Sequence, residues 1–358
     1  MERDILMTII IPVYNAEKYL QMCIDCLLEQ TMKNSMEFIF INDCSQDSSY
    51  KILVDNHNKF PEFIRVVNCK KKMRQGGARN MGIQKAKGKY VGFVDADDLV
   101  AKSMYEDLYI AAEKSNADVA MSNYKEIDEN TQWSDVCGVK ESSDLDVYLE
   151  KWSDVELDDQ GRMEFMCRSK AGMVCGLWRK EFIIENSFYF PENVAYEDNY
   201  WGTVVFSKIQ RIVLLKQIHY FYRQHNSSTT KGMNELHQFD RIKVENMLDH
   251  YMKKNNMCDR YKDALEYIYS VRYVLNSIGI FYFMFDKPNK QLIYRLIKEL
   301  KCKYPKWRRN PYYKTMIPCK QKIVNWIIVY LPHLYINAYK PTLKLLVNLK
   351  FQIMGGKR

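Results

Sequence analysis

The sequence predicts an α/β protein with a mostly parallel sheet flanked by helices, followed by a mainly helical, basic C-terminal region. Two observations predict the first part. Short apolar runs alternate with segments of helical period through residues 5–124, and the runs are apolar throughout rather than at every second position. Strands buried on both faces read this way, and the helices between them are what parallel crossovers need. A third observation predicts the second part: from Asn234 onward the pattern is helical, first acidic-mixed and then basic.

The elements come in this order. Ile5–Val13 is short, apolar and rich in β-branched residues, hence a strand, and Ala16–Gln30 has helical period. Glu37–Ile41 is apolar again, and Ser48–Phe60 reads as a helix. Ile64–Val67 is the third strand, Ala78–Lys87 the third helix and Tyr90–Val94 the fourth strand. Ser103–Ser115 is helical and Asp118–Ser122 extended. Residues 128–168 are acidic and weakly patterned, an inserted loop or small helical excursion over the sheet edge. Val174–Trp178, a helix from Lys180, the segment Pro191–Phe206 and a strand-like Ile212–Tyr222 complete a first domain over 1–230, leaving 231–358 as the helical region.

Composition sets outer limits. With 358 residues, 47% hydrophobic and 27% charged, 14 Gly and 9 Pro, collagen-like, disordered and mucin-like chains are excluded. The length suggests about two folded units. Ten cysteines are scattered singly with no secretory leader ahead of them, which predicts a reducing compartment. Cys23 and Cys26 form a C-x-x-C without a second pair at zinc spacing, so they read as core thiols.

Charge is unevenly distributed. Lys287–Arg358 holds 17 Lys/Arg against one acid, Glu299, leaving −7 for residues 1–286 in a chain of net +9. A tail of this kind is attracted to an anionic membrane surface or to nucleic acid. Ile323–Tyr339 is free of charge between Lys322 and Lys340, but Pro332, His333 and two Asn make it short and polar for a spanning helix. Aromatics among aliphatics with basic flanks suit a segment lying in the headgroup region. A packed helical hairpin is the bland alternative, and the sequence carries no nucleic-acid motif.

Four clusters fall at the ends of successive strands or before the next helices: Pro12-Val13-Tyr14-Asn15, Asn42-Asp43-Cys44-Ser45-Gln46-Asp47-Ser48, Gly76-Gly77-Ala78-Arg79-Asn80, and Asp95-Ala96-Asp97-Asp98. In a doubly wound sheet ligands bind at the carboxyl ends of the strands. Alone, Ser45 and Asp47 are helix-capping residues and Gly76-Gly77 a turn. Three clustered carboxylates raise one another's pKa unless a cation is present, and oxygen ligands select Mg²⁺ or Mn²⁺ over zinc.

The order IIPVYN, INDCSQDSS, GGARNMGIQKAKGKYVGFVDADD, YEDNYW and YRQHNSS resembles the family 2 inverting glycosyltransferases, densely over 5–124 and again over about 172–230. The resemblance implies the GT-A fold, a Rossmann-like sheet, and an enzyme of capsular polysaccharide, exopolysaccharide or lipopolysaccharide synthesis, a hexosyl- or N-acetylhexosaminyltransferase. It implies a UDP-sugar donor, a lipid-linked saccharide or glycan acceptor, and action at the cytoplasmic face of the cell membrane; nucleic acid is not a partner, and a homo-oligomer is compatible with it. Tyr14 would lie beside the base, with Pro12 and Asn15 in the same turn. Asp43 would accept from the uracil imide, and a carboxylate there rejects bases lacking that donor. Arg79 would sit near base or diphosphate, and Gly77 would allow close backbone approach. Asp95 and Ala96 would meet the ribose, Asp97 the metal, with Asp95 a further metal contact; His225 would be a diphosphate or third metal contact, against the plain alternative of a structural hydrogen-bonder. Asp98 reads as a supporting residue.

Glu197-Asp198 is the second carboxylate pair, with Asp198 matching the family's general base. Inversion needs one, to take the proton of an acceptor hydroxyl attacking opposite the leaving diphosphate. Standing alone, the pair is a favourable helix N-terminal charge pair. Trp201 and 128–168 are candidate acceptor walls, and Arg223 is a phosphate clamp or a strand-end cation. Cys44 stands where the family frequently has Gly, which leaves that turn's geometry open. A sugar nucleotidyltransferase would carry a glycine-rich loop after the first strand, and a nicotinamide dehydrogenase G-x-G-x-x-G; Pro12-Val13-Tyr14-Asn15 occupies that place. A non-catalytic, membrane-docked assembly protein would have lost Asp95, Asp97 or Asp198.

Overall fold

A computed structural model describes residues 3–169, 172–225, 235–284 and 289–339. Among these, eight strands form one sheet: β1 (Met7–Val13), β2 (Met36–Asn42), β3 (Ile64–Asn68), β4 (Tyr90–Phe93), β5 (Leu99–Val100), β6 (Val119–Asp128), β7 (Gly176–Arg179) and β8 (Ile212–Gln224). Their order is β3-β2-β1-β4-β7-β6-β8-β5. The β1, β2, β3 and β4 ladders are parallel, as is β6 with β8; β7 runs antiparallel to β4 and β6, and β5 to β8. The fold is the expected mostly parallel α/β sheet with helices against it.

β1 and β2 are buried at every residue, which is why their sequences do not alternate. Glu37 of β2 tolerates that position because it is fully engaged. Its carboxylate accepts from Arg65 Nη1 at 2.7 Å, the Thr8 hydroxyl at 2.7 Å and the Lys87 amide at 2.7 Å. The crossover helices are α1 (Leu20–Leu28), α2 (Ser49–Lys59), α3 (Arg74–Lys85) and α4 (Met104–Lys114). Cys23 and Cys26 are buried core thiols on α1, and all ten cysteines are free. Residues 128–168 carry three short helices, α5 (Trp133–Val136), α6 (Val147–Glu150) and α7 (Asp159–Arg168), succeeded after β7 by α8 (Lys180–Glu185) and α9 (Glu197–Phe206).

Two helices start elsewhere than the sequence suggests: α1 at Leu20 rather than Ala16, and α3. α3 begins at Arg74 rather than Ala78, so Gly76 and Gly77 lie in its first turn and not in a preceding loop. A Cβ on Gly76 would lie 2.2 Å from the Pro191 carbonyl oxygen, and one on Gly77 2.6 Å from Met73 Cβ. The glycines answer to close packing of the chain on itself.

The chain divides into two compact units, Met1–Tyr261 and Lys262–Arg358. This division falls after α10 (Glu235–Lys254), whereas the division read from sequence at 230/231 falls before it. Asp240 of α10 accepts from the Ala195 amide at 3.1 Å and pairs with Arg74 at 2.7 Å, binding the helix to the first unit. The second unit is helical: α11 (Lys262–Tyr267), a π-helical stretch Ile268–Leu275, α12 (Asn276–Met284), α13 (Lys290–Lys303), α14 (Pro311–Met316), α15 (Cys319–Tyr330), α16 (Pro332–Leu334) and a π-helical Tyr335–Tyr339. α13 buries Leu292, Ile293, Leu296, Ile297 and Leu300, and Asn310 caps α14 while donating to the Asp263 carbonyl at 2.8 Å. No helix among the described residues is long and apolar enough to cross a membrane.

Candidate active site

The carboxyl ends of β1, β2 and β4 open into a cavity of about 650 Å³. Of the residues expected at a site, Pro12, Tyr14, Asn15, Asp43, Asp95, Ala96, Asp97, Glu197 and His225 all line it. Gly77, Arg79 and Asp198 do not.

Hydrogen bonds between the loops after β1 and β2 fix the first wall. The Asn15 amide donates to Ser45 Oγ at 3.1 Å and Asn15 Oδ1 accepts from the Gln46 amide at 2.8 Å. Glu17 and Asp47 exchange similar bonds: the Glu17 amide donates to Asp47 at 3.0 Å and the Ser48 amide to Glu17 at 2.8 Å. Asn15 and Cys44 are both left-handed, with φ 49° and 61°. Cys44 therefore adopts the conformation that glycine would take without strain. Buried Asp43 accepts from the Met73 amide at 2.6 Å and the Arg74 amide at 2.8 Å, so it also anchors the loop leading into α3.

Arg79 is buried and its guanidinium is engaged by two carboxylates: Asp95 at 2.8 Å and Glu197. Arg79 thus supports the cavity instead of lining it. Burial raises Asp95, opposed by Arg79 and reinforced by Asp97. Burial likewise pushes the Glu197 carboxyl up to about 7 against the pull of Arg79, with Asp198 adding to the rise. Glu197 and Asp198 open α9 behind Tyr196, which is left-handed at φ 65°; Glu197 is buried and Asp198 exposed. Asp98 is buried, accepting from the Tyr220 hydroxyl at 2.5 Å and the Arg223 amide at 2.8 Å, and burial raises its carboxyl well above the usual range.

Two expectations are corrected. Arg223 is no phosphate clamp: it is buried and donates to the carbonyls of Asp97 at 2.9 Å, Glu129 at 2.8 Å and Thr131 at 2.9 Å, fastening β8 to the loops around the cavity. Trp201 is no acceptor wall: it is buried in an aromatic cluster, stacked on Phe190 at 4.7 Å and edge-on to Trp178 at 4.8 Å. The spacing of the motif told nothing about which face of α9 each residue occupies.

His225 Nε2 lies 2.7 Å from Asp97 Oδ2, its ring tilted against Tyr19 at 4.9 Å. Among the described residues no three His, Cys, Asp or Glu side chains form a closed metal cage. Mg²⁺ and Mn²⁺ sites rarely need one, since one or two carboxylates plus substrate phosphates and waters complete the shell. Asp95 and Asp97, which line one cavity, are carboxylates of the number such an ion takes.

Three cavity residues carry no signal strong enough to be picked out from the sequence motifs. Lys72 Nζ sits 3.3 Å from the centroid of the Tyr14 ring. Arg74, left-handed at φ 59°, pairs with Asp240, and the Tyr196 ring lies 4.7 Å from the Arg241 guanidinium. The basic cluster Lys70–Lys72 with Arg74 was the available signal for the first two; no residue type announces a left-handed Tyr196.

Residues 8–145 match the family described as Glycosyl transferase family 2. The glycosyltransferase YibD of Escherichia coli (strain K12) is 30% identical over 260 residues, covering 68% of this chain and 70% of that one. The glycosyltransferase EpsJ of Bacillus subtilis (strain 168) is 31% identical over 238 residues, 63% of each chain. Both relatives are named as uncharacterized. The crystal structure of S. aureus TarS 1-349 in complex with UDP-GlcNAc superposes with a TM-score of 0.64 at 18% identity, covering 94% of this chain and 90% of that one, so it shares the fold. With the GT-A sheet, the motif order and these relatives together, the chain belongs to glycosyltransferase family 2 and is a glycosyltransferase.

Proposed function

We propose that this enzyme moves a hexosyl or N-acetylhexosaminyl group from a UDP-sugar to a lipid-linked glycan, with inversion, in cell-surface polysaccharide synthesis at the inner face of the membrane. The observation that carries the reading is the convergence of Tyr14 and Asp43, from β1 and β2, with Asp95 and Asp97, from β4, on one cavity. An aromatic ring and a buried carboxylate suit a uracil base. The remaining lone pairs of Asp43 are available to its imide because the protein uses only one contact on each oxygen among those described. A protein of the same fold crystallised with UDP-GlcNAc, which supports the donor class.

Asp97, with Asp95, would hold Mg²⁺ or Mn²⁺, which when bound neutralises charge on the leaving diphosphate, while His225, 2.7 Å from Asp97, orients that carboxylate. Arg79 keeps Asp95 oriented toward that diphosphate. Asp198 takes the proton of the acceptor hydroxyl as its oxygen attacks the anomeric carbon; the bond to the donor phosphate oxygen breaks and UDP departs. Asp198 suits this role because it is exposed in the first turn of α9, where an arriving acceptor can reach it. Glu197, engaged by Arg79, positions the turn.

The test is a panel of UDP-sugars with Mn²⁺, monitoring UDP release for the wild type and for Asp97→Ala. Turnover confined to the wild type, with UDP still binding the folded variant at reduced affinity, is the expected result. Equal turnover by Asp97→Ala overturns the metal assignment, and tighter binding of another nucleoside diphosphate overturns the uracil reading.

A further inference from the structure

We propose that α15 and the turn after it dock on an anionic bilayer, seating Ile323, Trp326, Tyr330 and Leu334 at the boundary between headgroups and acyl chains. α15 is apolar on two sides. One side, Ile328 and Val329, is buried in the second unit. The other carries Ile323, Trp326 and Tyr330 at helical spacing, and Leu334 follows in α16 after the helix breaks at Leu331; the four are between 38% and 62% exposed. The Trp326 and Tyr330 rings lie 5.9 Å apart and form one aromatic patch on that side. Contiguous apolar surface open to water marks a contact surface.

Charge selects the occupant. Lys301 of α13 lies 5.1 Å from the Tyr330 ring, and Lys320 and Lys322 open α15. Exposed Lys298, Lys303 and Lys306 add to the same sign, and the region from Lys287 onward holds a single acid. A nucleic acid satisfies the lysines but offers nothing to Ile323 and Leu334. A second copy brings the same positive field against itself. An anionic bilayer supplies both an apolar layer and negative headgroups, and indole and phenol rings favour the level between them. With no helix of spanning length among the described residues, the segment lies on the membrane.

The full chain is sedimented with vesicles of phosphatidylcholine alone and of phosphatidylcholine with phosphatidylglycerol in equal parts, without donor. Binding to the anionic vesicles only, weakened by salt, is expected, with Trp326 emission quenched by brominated acyl chains and the quenching lost in Trp326→Phe. Ile323→Ser combined with Leu334→Ser should lower partitioning about tenfold or more, and Lys320→Gln with Lys322→Gln about fivefold per charge removed. Both variants should keep the wild-type melting curve and UDP-sugar turnover, which separates this surface from the catalytic reading. Equal binding to neutral vesicles, no quenching, or undiminished partitioning of the folded serine variant each overturns the proposal. Loss of a concentration-dependent dimer in that variant would assign the stripe to a second copy and also overturn it.

Discussion

Arg79 and Glu197 stand 118 positions apart in the chain and form a buried ion pair whose guanidinium also holds Asp95. One cation therefore joins the third crossover helix, the aspartate cluster after β4 and the first turn of α9. Removing one partner of a buried pair leaves an uncompensated charge, at a cost of about 3–5 kcal/mol. Arg79→Met should lower stability by that amount in urea unfolding and abolish donor binding. Arg79→Lys should recover only part of it, because a lysine cannot hold two carboxylates in a planar fork. A loss under about 1 kcal/mol for Arg79→Met would remove this pair from the account of the site.

The two neighbouring carboxylates of α9 should separate by experiment. Asp198→Asn keeps UDP affinity and loses about 10²–10⁴ in kcat, the range general-base removal produces. Glu197→Gln loosens Arg79 and with it Asp95, so its defect should appear in UDP affinity and melting temperature. Calorimetry with UDP beside initial rates distinguishes them; loss of UDP binding in Asp198→Asn would mean that the base is another residue.

Gly76→Ala should destabilise by about 1–3 kcal/mol, the range for overpacking. The added methyl would lie 2.2 Å from the Pro191 carbonyl oxygen and 3.2 Å from Glu197 Cγ, driving α3 from the segment that leads into α9. Guanidinium unfolding reads the stability, and UDP-sugar turnover should fall with it.

His219 gives a pH dependence remote from the cavity. It is buried on β8 with Nε2 2.9 Å from Asp107, and burial holds its pKa below the ordinary value of 6.5, outweighing the carboxylate. Below 6.5 the unfolded chain binds a proton that the folded one resists, so stability falls as the pH is lowered from there and is indifferent to this group above it. His219→Gln should keep the bond to Asp107 and flatten that part of a curve of melting temperature against pH. An unaltered curve would mean that His219 titrates alike in both states.

Much of the site is legible in the sequence because parallel strands need continuous apolar runs and bring the loops at their carboxyl ends to one sheet edge. Asp43, Asp95 and Asp97 are found that way, and Asn15 with them. β5, only two residues long, carries no pattern of its own and exists because Leu99 and Val100 meet Phe221 and Tyr220. The start of α3 misleads because a glycine pair reads alike whether it makes a turn or lets two backbones pack. Trp201 and Arg223 carry reactive or sticky chemistry by type, and only burial shows that it is used inside the protein.

The amino-acid order alone determined the parallel sheet, the carboxylates at its edge and the segregation of positive charge beyond Lys287, since each is written in local composition and spacing. Tertiary structure decided how those groups are set: Glu197 buried on Arg79 and Asp198 exposed, Lys72 over Tyr14, and one side of α15 buried with the other exposed. Those choices depend on desolvation and on partners distant in the chain, 58 residues for Lys72 and Tyr14 and 118 for Arg79 and Glu197, and no local pattern encodes either.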